Sequence, residues 1–347
     1  MVGIQPAANA YMQEPHICNA QTIQWKFSTD GGWTDAKKGW VRAAINTLDN
    51  ELDYDGTGLV SITESTSSTA TLVRILNQPM AEYGGSDCFA TPQAWVNSNF
   101  SAAKFYYHVG RHEMFHLLGG SHSGLEDSRN GDNPATMATC IDWGNFSATN
   151  LLKQDDAAYL TWLHSSIADR QLHANIGFER GFTYWGQTNG TATVLGTGGA
   201  TGPGNVSFLA SGTELNSYIY QTVRLWTGGD NASYRSRINV KSPSSTYTTK
   251  AMARLYRQTL AESGDNECSY ANGLSNPNDA TTVGGYVILS ETSVATIGTT
   301  WTALTGSWVN PANTDGLQLQ IRAYGRSTNS SGINTPILFD NVRGEGQ

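Results

Sequence analysis

The stretch HEMFHLLGGSH, His112 to His122, decides the reading of the first half of the chain. It places His112, Glu113, His116, Gly119 and His122 in the pattern His-Glu-x-x-His-x-x-Gly-x-x-His. Residues four apart on a helix share a face, so the imidazoles of His112 and His116 can grip one ion. Three neutral imidazoles with an open fourth position describe a catalytic zinc rather than a closed structural one. Glu113 stands beside the first ligand, where it can take a proton from zinc-bound water. Gly119 can adopt a left-handed backbone, ending the helix and returning His122 as third ligand. A bare His-Glu-x-x-His can arise by accident, but here three of the chain's seven histidines fall in this one stretch.

Working outward, SAAKFYYHVGRHEMFHLLG reads as the helix carrying these ligands, with Ser101 as N-cap and Phe105, Val109, Phe115 and Leu118 as its core face. His108 lies one turn before His112 and reads as a packing residue or a support for a ligand. Upstream, QTIQWKFSTD at 21–30 alternates as a strand does. TDAKKGWVRAAINTLDNELD at 34–53 reads as a helix capped by Thr34 or Asp35, with Trp40, Ala44, Ile45 and Leu48 on one stripe. LVSITEST at 59–66 and TLVRILNQP at 71–79 read as strands. The apolar piece near Ala94–Val96 is either an edge strand able to pair with an extended peptide or a connecting loop. Downstream, the turn-rich loop after His122 contains Met137, and a second helix is expected from about Ser147 or Thr149 to Ile167. His164 reads as a residue of that helix's C-terminal end, and His16 and His173 as surface residues.

Composition changes at about 170–177. Beyond it, short alternating runs such as NVSFLA, YIYQTVRLW, SRINVKS, KAMARLYRQ, LQLQIRAYG and PILFDNVRG are divided by Gly, Asn, Pro and Ser. Strands at such spacing indicate an antiparallel sandwich or jelly roll. The chain of 347 residues therefore divides into 1–172 and 177–347.

A net charge of -8 with a charged fraction of 14% and no basic stripe argues against nucleic acid as a partner. No apolar run reaches the roughly 18 residues of a membrane span. The opening MVGIQPAANAYMQ has neither a charged n-region nor an apolar h-region, so the expectation is a secreted monomer whose leader has been removed. Cys18, Cys88, Cys140 and Cys268 contain no CxxC pair. In an oxidising compartment they make up to two disulfides, of which Cys88–Cys140 is the preferred pairing. Cys18 is otherwise a buried thiol or a zinc-blocking thiolate.

The zinc stretch, the following Ser123 and PATMAT around Met137 resemble a metzincin metalloprotease, closest to the matrixin type, over about residues 18–170. The resemblance implies an α+β catalytic domain: a mixed twisted sheet, a zinc helix and a C-terminal helix. It further implies Zn2+ on His112, His116 and His122, Glu113 as general base, and Met137 as a hydrophobic floor, or as plain core. Thr139 stands where a Met-turn tyrosine occurs in astacin-like enzymes, which leaves the subfamily open.

The second half is similar to a galactose-binding-like carbohydrate-binding module. GFERGFTYW, TWTALTGSW and ILFDNVRG carry that resemblance. It implies a structural Ca2+ between Glu179 and Asp340, which are otherwise two surface carboxylates. Tyr184, Trp185, Trp226 and Tyr234 are the candidate sugar platforms, each with core packing as its alternative, whereas Trp301 and Trp308 read as core. Together the two resemblances imply a secreted zinc endopeptidase acting on glycoproteins or matrix-associated proteins through a glycan-binding module. The alternative is a non-catalytic glycan-binding or adhesive surface or virion protein.

Overall fold

The computed structural model describes residues 18, 20–52, 60–79, 84–88, 92–119, 170–173, 175–179, 181–213, 215–225, 233–262, 280–311 and 317–346. Its first part is a five-stranded sheet with two helices. The strands are β1 (Thr22–Phe27), β2 (Ser61–Glu64), β3 (Thr71–Leu76), β4 (Gly84–Asp87) and β5 (Gln93–Asn97), in the order β2-β1-β3-β5-β4. All neighbours run parallel except the β4–β5 pair. The alternation that identifies TLVRIL as a strand is the burial pattern of β3, where Thr71, Val73 and Ile75 point inward.

Helix α1 (Asp35–Leu52) buries Val41, Ala44, Ile45 and Leu48 completely, one stripe at helical spacing. Thr34 caps it, its Oγ1 accepting from the Lys37 amide at 3.2 Å. Helix α2 (Ala103–Leu117) crosses α1 where Gly110 lets Val41 approach, since a Cβ there would lie 3.2 Å from Val41 Cγ1. Phe105, Val109, Phe115 and Leu118 are all buried, as their spacing predicts. The N-cap of α2, however, is Ala102 in extended geometry with no side-chain cap, not Ser101. Ala94–Val96 is also not an edge: β5 lies between β3 and β4, and Gly84–Asp87 forms the edge.

The rest is two antiparallel sheets packed face to face. The seven-stranded sheet contains β7 (Gly186–Thr188), β10 (Tyr218–Leu225), β12 (Thr248–Glu262), β13 (Ala280–Glu291), β14 (Ala295–Thr296), β16 (Leu317–Thr328) and β17 (Asn334–Thr335). Its spine runs β13-β12-β16-β10-β7. The six-stranded sheet contains β6 (Arg170–Gln171), β8 (Gly190–Leu195), β9 (Asn205–Ala210), β11 (Tyr234–Lys241), β15 (Thr302–Thr305) and β18 (Ile337–Gly346), with the spine β15-β11-β18-β9-β8.

Ile219, Val223, Leu255, Leu319 and Ile321 from the first sheet and Val206, Phe208, Ile238, Ile337 and Phe339 from the second are essentially inaccessible. Gly325 marks how closely they meet, because a Cβ there would sit 2.7 Å from Ile337 Cδ1 and 2.8 Å from Phe339 Cζ. At about 25 cal/mol per Å², burying one such side chain stabilises the fold by about 1.5–3 kcal/mol.

Several expectations are corrected here. Among the described residues there are eighteen strands and only two helices, so the described part is predominantly β rather than the α+β metzincin domain expected. The expected C-terminal helix at 147–167 lies outside the described residues, as do His16 and His164. Cys88 pairs with Cys18, not with Cys140, their Cα atoms 5.3 Å apart. That bond occupies the Cys18 sulfur, so it is not a zinc-blocking thiolate. Cys140 and Cys268 lie outside the described residues.

His173 is fully buried rather than on the surface, its Nδ1 accepting the Gly344 amide at 3.0 Å. Burial pushes its pKa down to about 3, so it is neutral. Trp301 and Trp308, read as core, are instead half-buried and lie beside Lys241 and Arg235 at 5.8 and 4.3 Å. Those two strand residues face outward, and the indoles cover their cationic ends.

Candidate functional site

Three places gather chemically capable side chains. The first is α2, where the four-residue spacing puts His112 and His116 one above the other with ring centroids 4.8 Å apart. His112, Glu113 and His116 are 8%, 6% and 7% exposed. A Cβ on Gly84 of β4 would lie 2.9 Å from Glu113 Oε1, so the edge strand runs closely over this carboxylate. His108 is buried beneath, its pKa pushed down to about 3 by desolvation and then by Arg111, which makes it a neutral packing residue. His122 and Met137 lie outside the described residues. Among the described residues no group of three or more His, Cys, Asp or Glu could hold a metal ion.

The second place is the turn around Glu179. Asn175 and Phe178 take positive φ of 49° and 59°, and the Asn175 amide holds the turn by donating to the Gly181 and Thr183 carbonyls at 3.1 Å each. Asp340 at 0% exposure accepts from the amides of Ala200 at 2.5 Å, Thr201 at 3.1 Å and Asn341 at 2.7 Å. Burial raises its pKa, while these three amides work in the opposite direction.

Glu179 Oε2 accepts from the Gly204 amide at 2.8 Å. A Cβ on Gly177 would lie 3.2 Å from Glu179 Oε1 and 3.7 Å from Asp340 Oδ1, so the two carboxylates converge on one point. A Cβ on Gly199 would strike the carbonyl oxygens of Gly202 and Gly204. Two carboxylates among backbone carbonyls suit a hard, oxygen-ligated cation such as Ca2+.

The third place is the outer face of the seven-stranded sheet. Register sets it: Tyr218 faces Tyr324, Tyr220 faces Arg322 and Thr222 faces Gln320 across β10 and β16. Across β12 and β16, Met252 faces Tyr324, Arg254 faces Arg322, Tyr256 faces Gln320 and Gln258 faces Gln318. Their chain neighbours Ile219, Val223, Ala253, Leu255, Leu319 and Ile321 point into the core, so the even positions must face out.

Arg322 is at the centre. Its guanidinium lies 4.1 Å from the Tyr256 ring, 4.8 Å from Tyr218 and 5.3 Å from Tyr286. Its Nε donates to Gln320 Oε1 at 2.5 Å and its Nη1 to the Tyr324 hydroxyl at 3.4 Å. The Tyr256 and Tyr324 hydroxyls share a hydrogen bond of 2.7 Å. Gln318 donates to the Tyr286 hydroxyl at 2.7 Å, and Gln320 to Thr222 Oγ1 at 2.8 Å. Burial, with the Tyr256 contact, raises the Tyr324 phenol, which therefore stays protonated. Tyr324 and Tyr256 are buried under the lattice, whereas Tyr218, Tyr220, Tyr286 and Arg322 are half-exposed. The result is an aromatic floor studded with amides and the guanidinium groups of Arg322 and Arg254.

Of the aromatics singled out from sequence, Trp185 is 7% exposed and donates its indole N–H to the Asn175 carbonyl at 2.9 Å. Tyr234 is 3% exposed and Tyr184 packs against the core at a positive φ of 71°. Trp226 lies outside the described residues. Trp185 and Tyr234 are therefore too buried to serve as sugar platforms. The tyrosines of β10, β12, β13 and β16 form one, and their signal was present in the outward half of the alternations YIYQTVRL, MARLYRQ and LQLQIRAY.

No family model matches the chain and no curated protein matches it. Solved structures do. The xylan-binding CBM22-1 domain of Paenibacillus barcinonensis Xyn10C is 14% identical over 49% of this chain and 90% of that one, with a TM-score of 0.29. TmCBM61, solved with β-1,4-galactotriose, is 14% identical over 50% of this chain and 97% of that one, with a TM-score of 0.28. The CBM22-1–GH10 modules of Clostridium thermocellum Xyn10B are 13% identical with a TM-score of 0.30, and the match covers 48% of this chain but only 27% of that one.

The metzincin expectation is corrected on these findings. Among the described residues no group of three or more His, Cys, Asp or Glu could hold a metal ion, and the elements described are predominantly strands. The zinc endopeptidase and its protein substrate are thereby left without support, and Glu113 is described only as a buried carboxylate on α2. No described helix is long and apolar enough to cross a membrane.

Proposed function

We propose that the chain is a non-catalytic glycan-binding protein acting outside the cell, and that it holds its ligand on the outer face of the seven-stranded sheet. The observation that carries this reading is the Tyr218–Tyr220–Tyr256–Tyr286–Tyr324 array interleaved with Gln258, Gln318, Gln320 and Arg322 on adjoining strands. A pyranose presents apolar C–H faces and equatorial hydroxyls. The first stack on tyrosine rings, and the second pair with planar amides and guanidinium.

Affinity electrophoresis against a panel of soluble polysaccharides tests it. With about 1 kcal/mol for each stacked ring, the double variant Y218A/Y286A should bind roughly thirtyfold more weakly. Unchanged retardation in that variant rejects the face.

We also propose that Glu179 and Asp340 hold a structural Ca2+, supported by the convergence of their carboxylates with the Gly202 and Gly204 carbonyls. A zinc ion on His112, His116 and His122 is a separate, non-hydrolytic proposal, supported by the adjacent, edge-to-face imidazoles of His112 and His116 on α2. One equivalent of zinc in dialysed protein, lost in H112A/H116A, supports it. Metal-free protein of unchanged stability rejects it. The Cys18–Cys88 bond is compatible with the extracellular setting.

A further inference from the structure

The charges on the tyrosine face do not cancel. Arg254 on β12 is neutralised by Glu291, Nε to Oε2 at 2.9 Å. Arg322, its cross-strand neighbour, has no such partner: among the described residues no carboxylate lies within ion-pairing distance of it. Its two hydrogen bonds go to neutral acceptors, the Gln320 amide oxygen and the Tyr324 hydroxyl. Its remaining nitrogen, Nη2, has no protein acceptor among the described residues.

Three tyrosine rings within 5.3 Å hold the guanidinium in place without quenching its charge. The groups around it add donors rather than negative charge, since Gln318 and Gln320 both direct amide nitrogens at the Tyr286 hydroxyl. A fixed, half-buried guanidinium fork among rings and donors is complementary to a planar anion, and carboxylate matches its two-pronged geometry.

We propose that the ligand is an acidic glycan, a chain containing uronic acid residues, whose carboxylate pairs with Arg322 while the flanking sugar rings lie on Tyr218 and Tyr286. This rests on the tyrosine face being the glycan site. It goes beyond that reading in naming the class of sugar and the residue that selects it. The interaction forms and breaks no covalent bond.

The test is calorimetric titration of the whole protein with a homogeneous oligouronate, its carboxyl-reduced neutral counterpart and a sulfated oligosaccharide of equal length. Binding of the oligouronate should exceed that of the reduced chain by about ten- to a hundredfold, the range for one charged hydrogen-bonded contact. The preference should shrink as salt is raised from 50 mM to 500 mM. R322Q should bring the uronate down to the level of the reduced chain. R322K, which keeps the charge and the fold but loses the fork, should retain only part of the preference.

Equal binding of the acidic and reduced chains, or an R322Q preference equal to wild type, overturns the acidic class. Equal binding of the sulfated chain overturns the carboxylate. In either case, roughly thirtyfold weaker binding of every sugar by Y218A/Y286A still leaves the face as the glycan site. If Y218A/Y286A binds every sugar as wild type does, the face itself is wrong. The two failures are thereby separated.

Discussion

Replacing Glu345 with Gln removes the acid that three guanidinium groups surround on the outer side of the six-stranded sheet. Glu345 is 0% exposed, while the Arg235, Arg237 and Arg343 side chains are 18%, 29% and 8% exposed. Arg235 Nε reaches Oε2 at 2.5 Å, Arg343 Nη2 reaches Oε1 at 2.6 Å and Arg237 Nη1 reaches Oε1 at 3.4 Å. The amide of E345Q keeps the shape and removes the negative charge that these three guanidinium groups share.

Removing one partner of a buried ion pair costs about 3–5 kcal/mol, because the surviving charge remains desolvated. The pH dependence has a definite sign. Burial alone would raise the Glu345 carboxyl, but Arg343 and Arg235 outweigh it and hold its pKa below the ordinary value. A depressed folded-state pKa contributes stability that is present above the unfolded value and lost as pH falls through the folded one.

Urea unfolding followed by tryptophan fluorescence is the assay, and Trp308, stacked 4.3 Å from Arg235, reports on the network directly. Wild type should exceed E345Q by about 3–5 kcal/mol at pH 7. The gap should narrow as pH is lowered below about 4, the ordinary glutamate range. A difference under about 1 kcal/mol at pH 7, the size of a surface pair, refutes the reasoning. So does a difference that does not change with pH.

Three other outcomes follow from the same structure. The Cys18–Cys88 bond closes a loop of 70 residues that holds β1, α1, β2, β3 and β4, so the double Ser variant should lose about 4 kcal/mol by loop-entropy arithmetic. An unchanged urea midpoint would show that the bond does not constrain the unfolded chain. Calcium in millimolar excess should raise the Tm of wild type but not of D340N, as thermal melts with and without chelator will show. Equal shifts in both would place the ion elsewhere. G199A should also abolish that calcium response, because its methyl would strike the Gly202 and Gly204 carbonyls. A normal response would mean that the cradle tolerates the intrusion.

Local periodicity made much of the fold legible. Ala44, Ile45 and Leu48 announce α1, although Val41 rather than the expected Trp40 completes its buried stripe, Thr34 announces its start, and the TLVRIL and NVSFLA alternations mark strands that exist. Non-local facts were not legible. Cys88 lies 70 residues from Cys18 and only the packing of β4 beside the chain start brings them together. His173 carries no periodic signature, yet the pairing of β6 with β18 draws the next turn of chain beneath Gly344.

The tyrosine face was missed for the same reason. Each strand shows its outward Tyr, Arg or Gln, but register alone sets Tyr218 opposite Tyr324 and Arg254 opposite Arg322. The reading from sequence sought sugar platforms instead in Trp185 and Tyr234, whose burial removes them. The eleven-residue histidine stretch was the most specific pattern in the chain, and it led to the conclusion the described structure does not carry. It predicted a helix correctly and a peptidase without support, because two imidazoles on α2 are two ligands and the third position is not among the described residues.

Hydrogen–deuterium exchange with and without a bound oligosaccharide tests the central claim most directly. The account predicts slowed exchange concentrated on β10, β12 and β16 at Tyr218–Thr222, Arg254–Gln258 and Gln318–Tyr324, with α2 unchanged. Protection on α2 or on the Trp185 turn, with these three strands unaffected, would contradict it.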